Sequence, residues 1–214
     1  MDFIRFQEVK SNIRNIKPSH ANYHLMFIGF FETDNMQLNN NWLLLDAARM
    51  GNEINAAKTI NPNFDSLYRG RPEESLASVA PYLFWLEKGQ EFDRWYFEKG
   101  WGDAWGVLVY SNKELKPLVK HFRRFLMVQT EDKQELYFRF YDPRVLRIFL
   151  PTCDTDQLEE FFGPVDYFIC EDENPDTGLV FSLENDVLKV EKISKEQVMD
   201  FAPEVKKKKL RFFW

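Results

Sequence analysis

The chain has 214 residues, of which 44% are hydrophobic and 16% are aromatic. This content fills a core of one domain or of two joined lobes, which excludes extensive disorder. A net charge of −6 argues against a nucleic-acid partner, and no apolar run approaches the roughly 18 residues of a membrane span.

Three further features of the sequence indicate what kind of protein this is. Residues 1–5 lack the cationic and apolar regions of a signal peptide, so we expect a cytoplasmic protein. Cys153 and Cys170 have neither CxxC spacing nor a nearby histidine, so we expect free thiols and neither a metal nor a cofactor. Eleven acidic and no basic residues lie within 148–188, whereas 113–124 carries five basic residues.

The first half of the chain alternates between strand and helix patterns. We predict a helix over 3–16 and strands over 25–31 and 42–48, joined by an Asn-rich stretch. A helix over 52–59, a strand over 82–86, a helix over 92–99 and a strand over 105–110 follow. Ser111 and Glu114 have the form of a capping box for the next helix, whose apolar face comprises Leu115, Leu118, Val119, Phe122, Phe125 and Leu126.

The second half continues with clearer helix boundaries. After a strand over 136–140, Asp142 and Pro143 suit the N-cap and first position of a helix that ends at 150. Asp154 with Gln157 opens a helix over 155–162, and Gly163-Pro164 ends it. We predict strands over 167–170, 179–183 and 187–190, the last two forming a hairpin, and a final helix capped by Ser194 with Gln197.

This order of elements predicts an α/β or α+β fold, with a mixed sheet and flanking helices in a single domain of possible two-lobed form. We divide the chain into a variable segment over 1–40, a core over 41–164, strands and a helix packed on that core over 165–204, and a basic and aromatic tail over 205–214.

No catalytic set stands out among the titratable residues. His121 lies on the amphipathic helix, where a structural histidine is the simpler interpretation. His20 and His24 have a spacing that suits a metal on a helix, but no carboxylate or cysteine follows at ligand spacing. We interpret Arg139, Asp142 and Arg144 as a structural turn, since a capping Asp beside an Arg needs no catalytic role.

Aromatic residues are the stronger candidates for function. The glycine-rich loop over 100–106 precedes a strand and carries two bulky indoles, which excludes a phosphate-binding loop. Its indoles suit either a packed turn or an exposed anchor. We assign partner binding to aromatic residues of this loop, of the acidic helix and of the chain end, namely Trp101, Trp105, Phe161, Phe162, Phe212, Phe213 and Trp214.

Seven blocks of sequence, taken in order, carry a family resemblance. They are WLLLDAA at 42–48, SLYRG at 66–70, APYL at 80–83, WGVL at 105–108, HFRR at 121–124, RFYDPR at 139–144 and FFGP at 161–164. This series resembles the domain shared by type VI secretion effector adaptors, also called effector chaperones. The core over 41–164 is accordingly interpreted as the adaptor-family core.

The resemblance implies a non-catalytic protein that binds a cognate toxic effector and promotes its loading onto the secretion spike. It implies a secreted effector and a spike protein as partners, and no small-molecule substrate. Two alternatives remain open from the residues. One is an immunity protein that inhibits a toxin, and the other is a hydrolase or phosphate-binding enzyme that uses Arg139, Asp142, Arg144 and His121.

Overall fold

A computed structural model describes residues 40–70, 75–129 and 133–201. Their strands are β1 (Asn40–Asp46), β2 (Phe64–Ser66), β3 (Pro81–Leu86), β4 (Gly106–Ser111), β5 (Met127–Gln129), β6 (Glu135–Tyr137), β7 (Val165–Glu171), β8 (Thr177–Glu184) and β9 (Val187–Ser194). Their α-helices include α1 (Ala47–Met50), α2 (Glu53–Ile60), α3 (Glu91–Lys99), α4 (Leu115–Arg123), α5 (Pro143–Phe149), α6 (Thr155–Phe162) and α7 (Lys195–Met199), with a short 3-10 turn at Leu150–Thr152.

Seven of these strands form one sheet in the order β2-β3-β1-β4-β7-β8-β9, and β5 pairs with β6 in a separate two-stranded ribbon. Each pair of neighbouring strands is antiparallel. The predicted class, a sheet with flanking helices, is therefore confirmed in its α+β form. Strands β7 to β9 extend the same sheet that β1 to β4 begin.

Helices cover both faces of this sheet, which explains the unbroken apolar runs of its central strands. In β1, Leu43 and Leu45 point into a core formed with α1, α2, α3 and α7. Trp42 and Leu44 point the other way, into a core formed with α4, α5, α6 and the β5–β6 ribbon. All four side chains are buried because β1 lies near the centre of the sheet.

The predicted capping boxes of α6 and α7 and the N-cap of α5 are confirmed. The capping box predicted for α4 is wrong. Ser111 is the last residue of β4, and its hydroxyl accepts the Lys113 N–H at 3.1 Å and donates to the Pro164 carbonyl at 2.8 Å. Because Ser111 is held in the sheet, it is not the N-cap of α4; Glu114 has that position and makes no side-chain capping bond.

Several short elements differ from the sequence prediction. The strand predicted over 136–140 is only three residues long, and Phe138 and Phe140 instead pack into the core. The elements predicted over 3–16 and 25–31 lie outside the described residues, as does the tail over 205–214. Within the part of the chain that the structure describes, no helix is long and apolar enough to cross a membrane.

Candidate functional site

Hydrogen bonds and ion pairs hold the turn over 139–144 together. Asp142 caps α5, since its Oδ1 accepts the Arg144 N–H at 3.0 Å. The Arg144 guanidinium donates two hydrogen bonds to the same carboxylate, with Nε 3.0 Å from Oδ1 and Nη2 2.6 Å from Oδ2. Burial alone would raise the pKa of Asp142, but the bonds from Arg144 and the charge of Arg139 outweigh it and lower the pKa.

Arg139 connects this turn to the centre of the sheet. Its guanidinium donates to Oδ2 of Asp46, with Nε at 3.1 Å, and the Asp46 side chain is fully buried. Oδ1 of Asp46 accepts the Ala48 N–H at 3.0 Å and caps α1. Sequence reasoning missed this carboxylate, although an Asp that follows an apolar run and precedes two alanines is a recognisable N-cap signal.

His121 is also occupied by structural bonds. It is buried, and its Nε2 lies 2.8 Å from the Phe161 carbonyl while its Nδ1 lies 3.0 Å from Nη2 of Arg124. A carbonyl only accepts and a guanidinium only donates, so Nε2 carries the proton and Nδ1 is the acceptor. The ring therefore joins α4 to α6, with both nitrogens engaged.

The cysteines and the acidic residues do not assemble a reactive centre among the described residues. Burial raises the pKa of the Cys153 thiol to about 12, and burial also raises the pKa of the Cys170 thiol. Both thiols therefore stay protonated and are poor nucleophiles at neutral pH. In the ranges 40–70, 75–129 and 133–201, no group of three His, Cys, Asp or Glu residues is placed to hold a metal ion.

The loop that precedes β4 is a packed structure, so its proposed role as a partner anchor is wrong. Trp101 and Trp105 are only 6% and 8% exposed. The Trp101 indole N–H donates to the Pro175 carbonyl at 2.6 Å. The Glu171 carboxylate accepts the N–H groups of Gly102 and Ala104 at 2.5 and 2.9 Å, which fastens the loop to β7.

The aromatic pair of α6 also belongs to the interior. Phe161 and Phe162 are each 2% exposed and pack on Phe168 of β7, with ring centroids 5.3 and 5.1 Å away. Burial of their large apolar area stabilises the fold, so their assignment to partner binding is wrong. The remaining predicted anchors, Phe212, Phe213 and Trp214, lie outside the described residues.

An aromatic cleft opens at the start of α4. It has a volume of about 410 Å³ and is lined by Trp42, Pro62, Asn63, Phe64, Trp85 and Leu115. Trp85 is half-buried and meets Trp42 edge-on, with ring centroids 5.1 Å apart. The Trp42 indole N–H is buried and has no hydrogen-bond partner among the described residues. This site, which we call the aromatic cleft, suits an apolar side chain.

A second apolar surface lies beyond the end of α4, on the β5–β6 ribbon. Met127 and Tyr137 are cross-strand neighbours and are 42% and 58% exposed, and the adjacent Leu136 is 42% exposed. Met127 and Tyr137 lie on one face of the ribbon and form the ribbon patch, whereas Leu136 is paired with Val128 and lies on the opposite face. Val128 is buried in the core. Adjacent exposed apolar side chains such as Met127 and Tyr137 are a candidate surface for binding another protein.

Comparison with known proteins identifies the family. Neither a search of curated proteins nor a search of solved structures gave a match. A family model described as "Domain of unknown function (DUF4123)" matches residues 41–160. The matched region begins in β1 and ends within α6, so it contains the aromatic cleft, the ribbon patch and the turn over 139–144. Because the match covers more than half of the chain, the protein belongs to the DUF4123 family.

Proposed function

We propose that this protein is a non-catalytic adaptor that binds a toxic effector in the bacterial cytoplasm and promotes its loading onto the type VI secretion spike. The observation that carries the proposal is the pair of apolar surfaces at the two ends of α4, the aromatic cleft and the ribbon patch. Surfaces of this composition are suited to binding protein segments.

The burial and hydrogen bonding of the polar residues support a binding role over a catalytic one. Asp46, Asp142 and His121, which an enzyme could use as base or nucleophile, are buried and bonded to backbone or guanidinium groups of the same domain. A general base has to reach a substrate proton at hydrogen-bond distance. In this protein the candidate bases instead hold α1, α5 and α6 in place.

The specific partners come from the resemblance of the seven sequence blocks to type VI effector adaptors. On this basis the effector is a secreted toxin and the second partner is a spike protein. Family membership is consistent with such a role. Both partners are macromolecules, and the proposal includes no cofactor and no small-molecule substrate.

The experiment is reconstitution with the effector and the spike protein encoded beside the gene. We expect the purified protein to bind that effector with a Kd at or below about 1 μM, as in a specific protein complex. Titration calorimetry measures the affinity, and gel filtration of the three proteins tests whether the adaptor brings effector and spike together. Absence of binding to either neighbour at micromolar concentration would overturn the proposal.

An activity assay separates the adaptor from an immunity protein. An adaptor leaves the toxic domain of the effector active in the complex, whereas an immunity protein inhibits it. The favoured result is therefore undiminished toxin activity at saturating adaptor. Inhibition in proportion to complex formation would instead establish the immunity role.

A further inference from the structure

The aromatic cleft and the ribbon patch are joined by α4, which runs beside β2. At the start of the helix, Leu115 and Phe64 line the cleft together. At its end, Arg123 donates from Nε to the Leu67 carbonyl at 2.8 Å and from Nη2 to the Ser66 carbonyl at 2.6 Å. Nine helical residues span about 13 Å, so a short segment of about four extended residues can bridge the two apolar surfaces.

The ribbon patch directly follows the end of this helix. The Leu126 carbonyl accepts the Phe138 N–H at 2.9 Å, which fixes the ribbon against the turn that ends α4. The ring of Tyr137 lies 6.2 Å from that of Tyr68, which follows β2. The cleft, the helix and the patch therefore succeed one another along the same α4–β2 edge of the molecule.

Between the two apolar surfaces, α4 presents a row of positive charges. Lys116, Lys120 and Arg124 are spaced four residues apart, so they lie on one side of the helix, and all three are exposed. This set is the cationic stripe. Lys116 and Lys120 form no ion pair with any residue in the described ranges. Arg124 is held in place by its bond to His121 and by its position 5.4 Å from the Phe125 ring centroid.

We infer that the α4 surface, composed of the aromatic cleft, the cationic stripe and the ribbon patch, binds an acidic segment of the effector that places an apolar side chain in the cleft. This inference rests on the proposed function and adds the chemistry of the bound segment. Carboxylates on a bound segment would be attracted to these exposed lysines, and charge complementarity of this kind directs both association and orientation.

The walls of the cleft specify its occupant further. Trp85, Phe64 and Leu115 offer apolar contact to one large side chain. The Trp42 indole N–H is enclosed by the fold, so the apolar walls alone define the chemistry of the occupant. A segment that carries one large apolar side chain fits such a cleft.

The neighbouring helix α6 limits the path that the bound segment can take. On α6 the residues Asp154, Asp156, Glu159 and Glu160 are exposed and acidic. Although α6 packs on α4 through His121, its carboxylates repel the acidic segment that the stripe attracts. The segment is therefore expected to lie along α4 and not across α6.

Charge reversal tests the stripe on the full chain with the neighbouring effector as the probe. We expect Lys116→Glu with Lys120→Glu to weaken binding at least about tenfold at low salt, and to flatten the salt dependence of the affinity. Lys99→Glu with Lys189→Glu is the matched control, because these exposed lysines lie on α3 and on the edge strand β9. The control has the same net charge and should bind like the wild type.

A second pair of variants tests the cleft. Trp85→Ala removes a half-exposed ring and should weaken binding by about 30-fold, the effect of losing a strong anchor contact. In a separate variant, Trp85→p-benzoylphenylalanine, light should cross-link the cleft to an acidic segment of the effector. Mass spectrometry identifies the linked peptide.

The possible outcomes distinguish failure of the proposed function from failure of the inference about the α4 surface. Wild-type protein that binds no effector overturns the proposed function and this inference with it. Wild-type binding that the stripe and Trp85 variants leave unchanged overturns the inference alone. Cross-linking to residues 1–39 of the same chain, or to an effector segment without acidic residues, also overturns it.

Discussion

The guanidinium of Arg139 donates to the carboxylate of Asp46, although the two residues are 93 positions apart in the chain. Asp46 is fully buried and caps α1 at the end of the central strand β1, whereas the Arg139 side chain is 41% exposed. The pair fastens the turn that begins α5 to the middle of the sheet. Its carboxylate depends on Arg139 for neutralisation, because its other partner is a backbone N–H.

Arg139→Ala should therefore destabilise the fold more than the exposure of the arginine implies. Removing the guanidinium leaves a buried carboxylate with one neutral hydrogen-bond donor. Loss of a partner from a fully buried ion pair costs about 3–5 kcal/mol. Because Arg139 is 41% exposed, water can partly replace its guanidinium, so we expect a smaller loss of about 2 kcal/mol. Urea unfolding measures the difference in the free energy of unfolding.

Arg144→Ala is the matched control for this variant. Arg144 is 49% exposed, and Asp142 keeps its bond to the backbone N–H of residue 144 when the side chain is removed. Asp142 is also buried, but it keeps the Arg139 guanidinium 3.9 Å away as a second cationic partner, so we expect a loss of at most about 1 kcal/mol. Equal losses in the two variants would contradict the difference that we assign to the buried Asp46.

Replacements of Asp142 separate its capping bond from its ion pair. Asp142→Ala removes both and should cost about 0.5–2 kcal/mol, with effector binding reduced only in proportion to the unfolded fraction. Asp142→Asn keeps a capping oxygen and loses the negative charge, so it should cost less. A fully folded Asp142→Ala protein without effector binding would instead make this turn a contact surface.

The same Asn variant predicts a pH dependence. The pKa of Asp142 in the folded protein is lowered from its ordinary value of 3.8, so the ion pair stabilises the fold fully above that pH. The stabilisation is lost as the pH falls from that value through the lowered folded-state pKa. The wild type should exceed Asp142→Asn in free energy of unfolding at pH 7, and the two should converge at acidic pH.

Local chemistry explains which elements the sequence could predict. The N-caps at Asp142, Asp154 and Ser194 are formed by side chains that bond within three residues, so the pattern alone contains the information. The central strands were equally predictable from the sequence, because burial on both faces makes them continuously apolar. The Ser111–Glu114 pattern is the exception, since pairing of β4 in the sheet overrides it.

Relationships between distant residues were not predictable from one sequence. The strands β2 and β5 have three residues each, which is too short for a periodic pattern. Aromatic content does not distinguish a buried Trp101 from an exposed Tyr137, because both residue types occur in cores and at surfaces. The cationic stripe was visible as a run of basic residues, but its position between two apolar surfaces depends on the packing of α4 beside β2.

Gly163→Ala tests the contact between α6 and α4. Gly163 ends α6 with φ of +45°, a conformation that residues with a side chain rarely adopt. An added Cβ would also lie 2.5 Å from Cε1 of His121. Strain and displacement of His121 should together cost about 2–4 kcal/mol. Gly89→Ala is the control, since Gly89 has positive φ but no atom near an added Cβ. Equal losses would show that the His121 contact contributes nothing.

The bonds between Glu171 and the Trp-rich loop predict a ranking of the Glu171 variants by stability. Glu171→Ala leaves the N–H groups of Gly102 and Ala104 without their acceptor, which should cost about 3 kcal/mol. Glu171→Gln keeps one acceptor oxygen and should cost about 1 kcal/mol. Hydrogen exchange at these two amides should accelerate in the same order. Unchanged exchange in Glu171→Ala would contradict the role of this carboxylate in holding the loop.

The pH dependence at Glu171 should have the opposite sign to that at Asp142. Burial raises the pKa of Glu171 above its ordinary value of 4.5, and the two backbone N–H bonds offset this only in part. Ionisation therefore opposes folding above the folded-state pKa, and this penalty disappears as the pH falls toward 4.5. Relative to Glu171→Gln, the wild type should gain stability as the pH is lowered through that interval, and urea unfolding at several pH values measures the gain. A wild type that instead loses stability relative to Glu171→Gln over this interval would mean that the N–H bonds, and not burial, dominate the site.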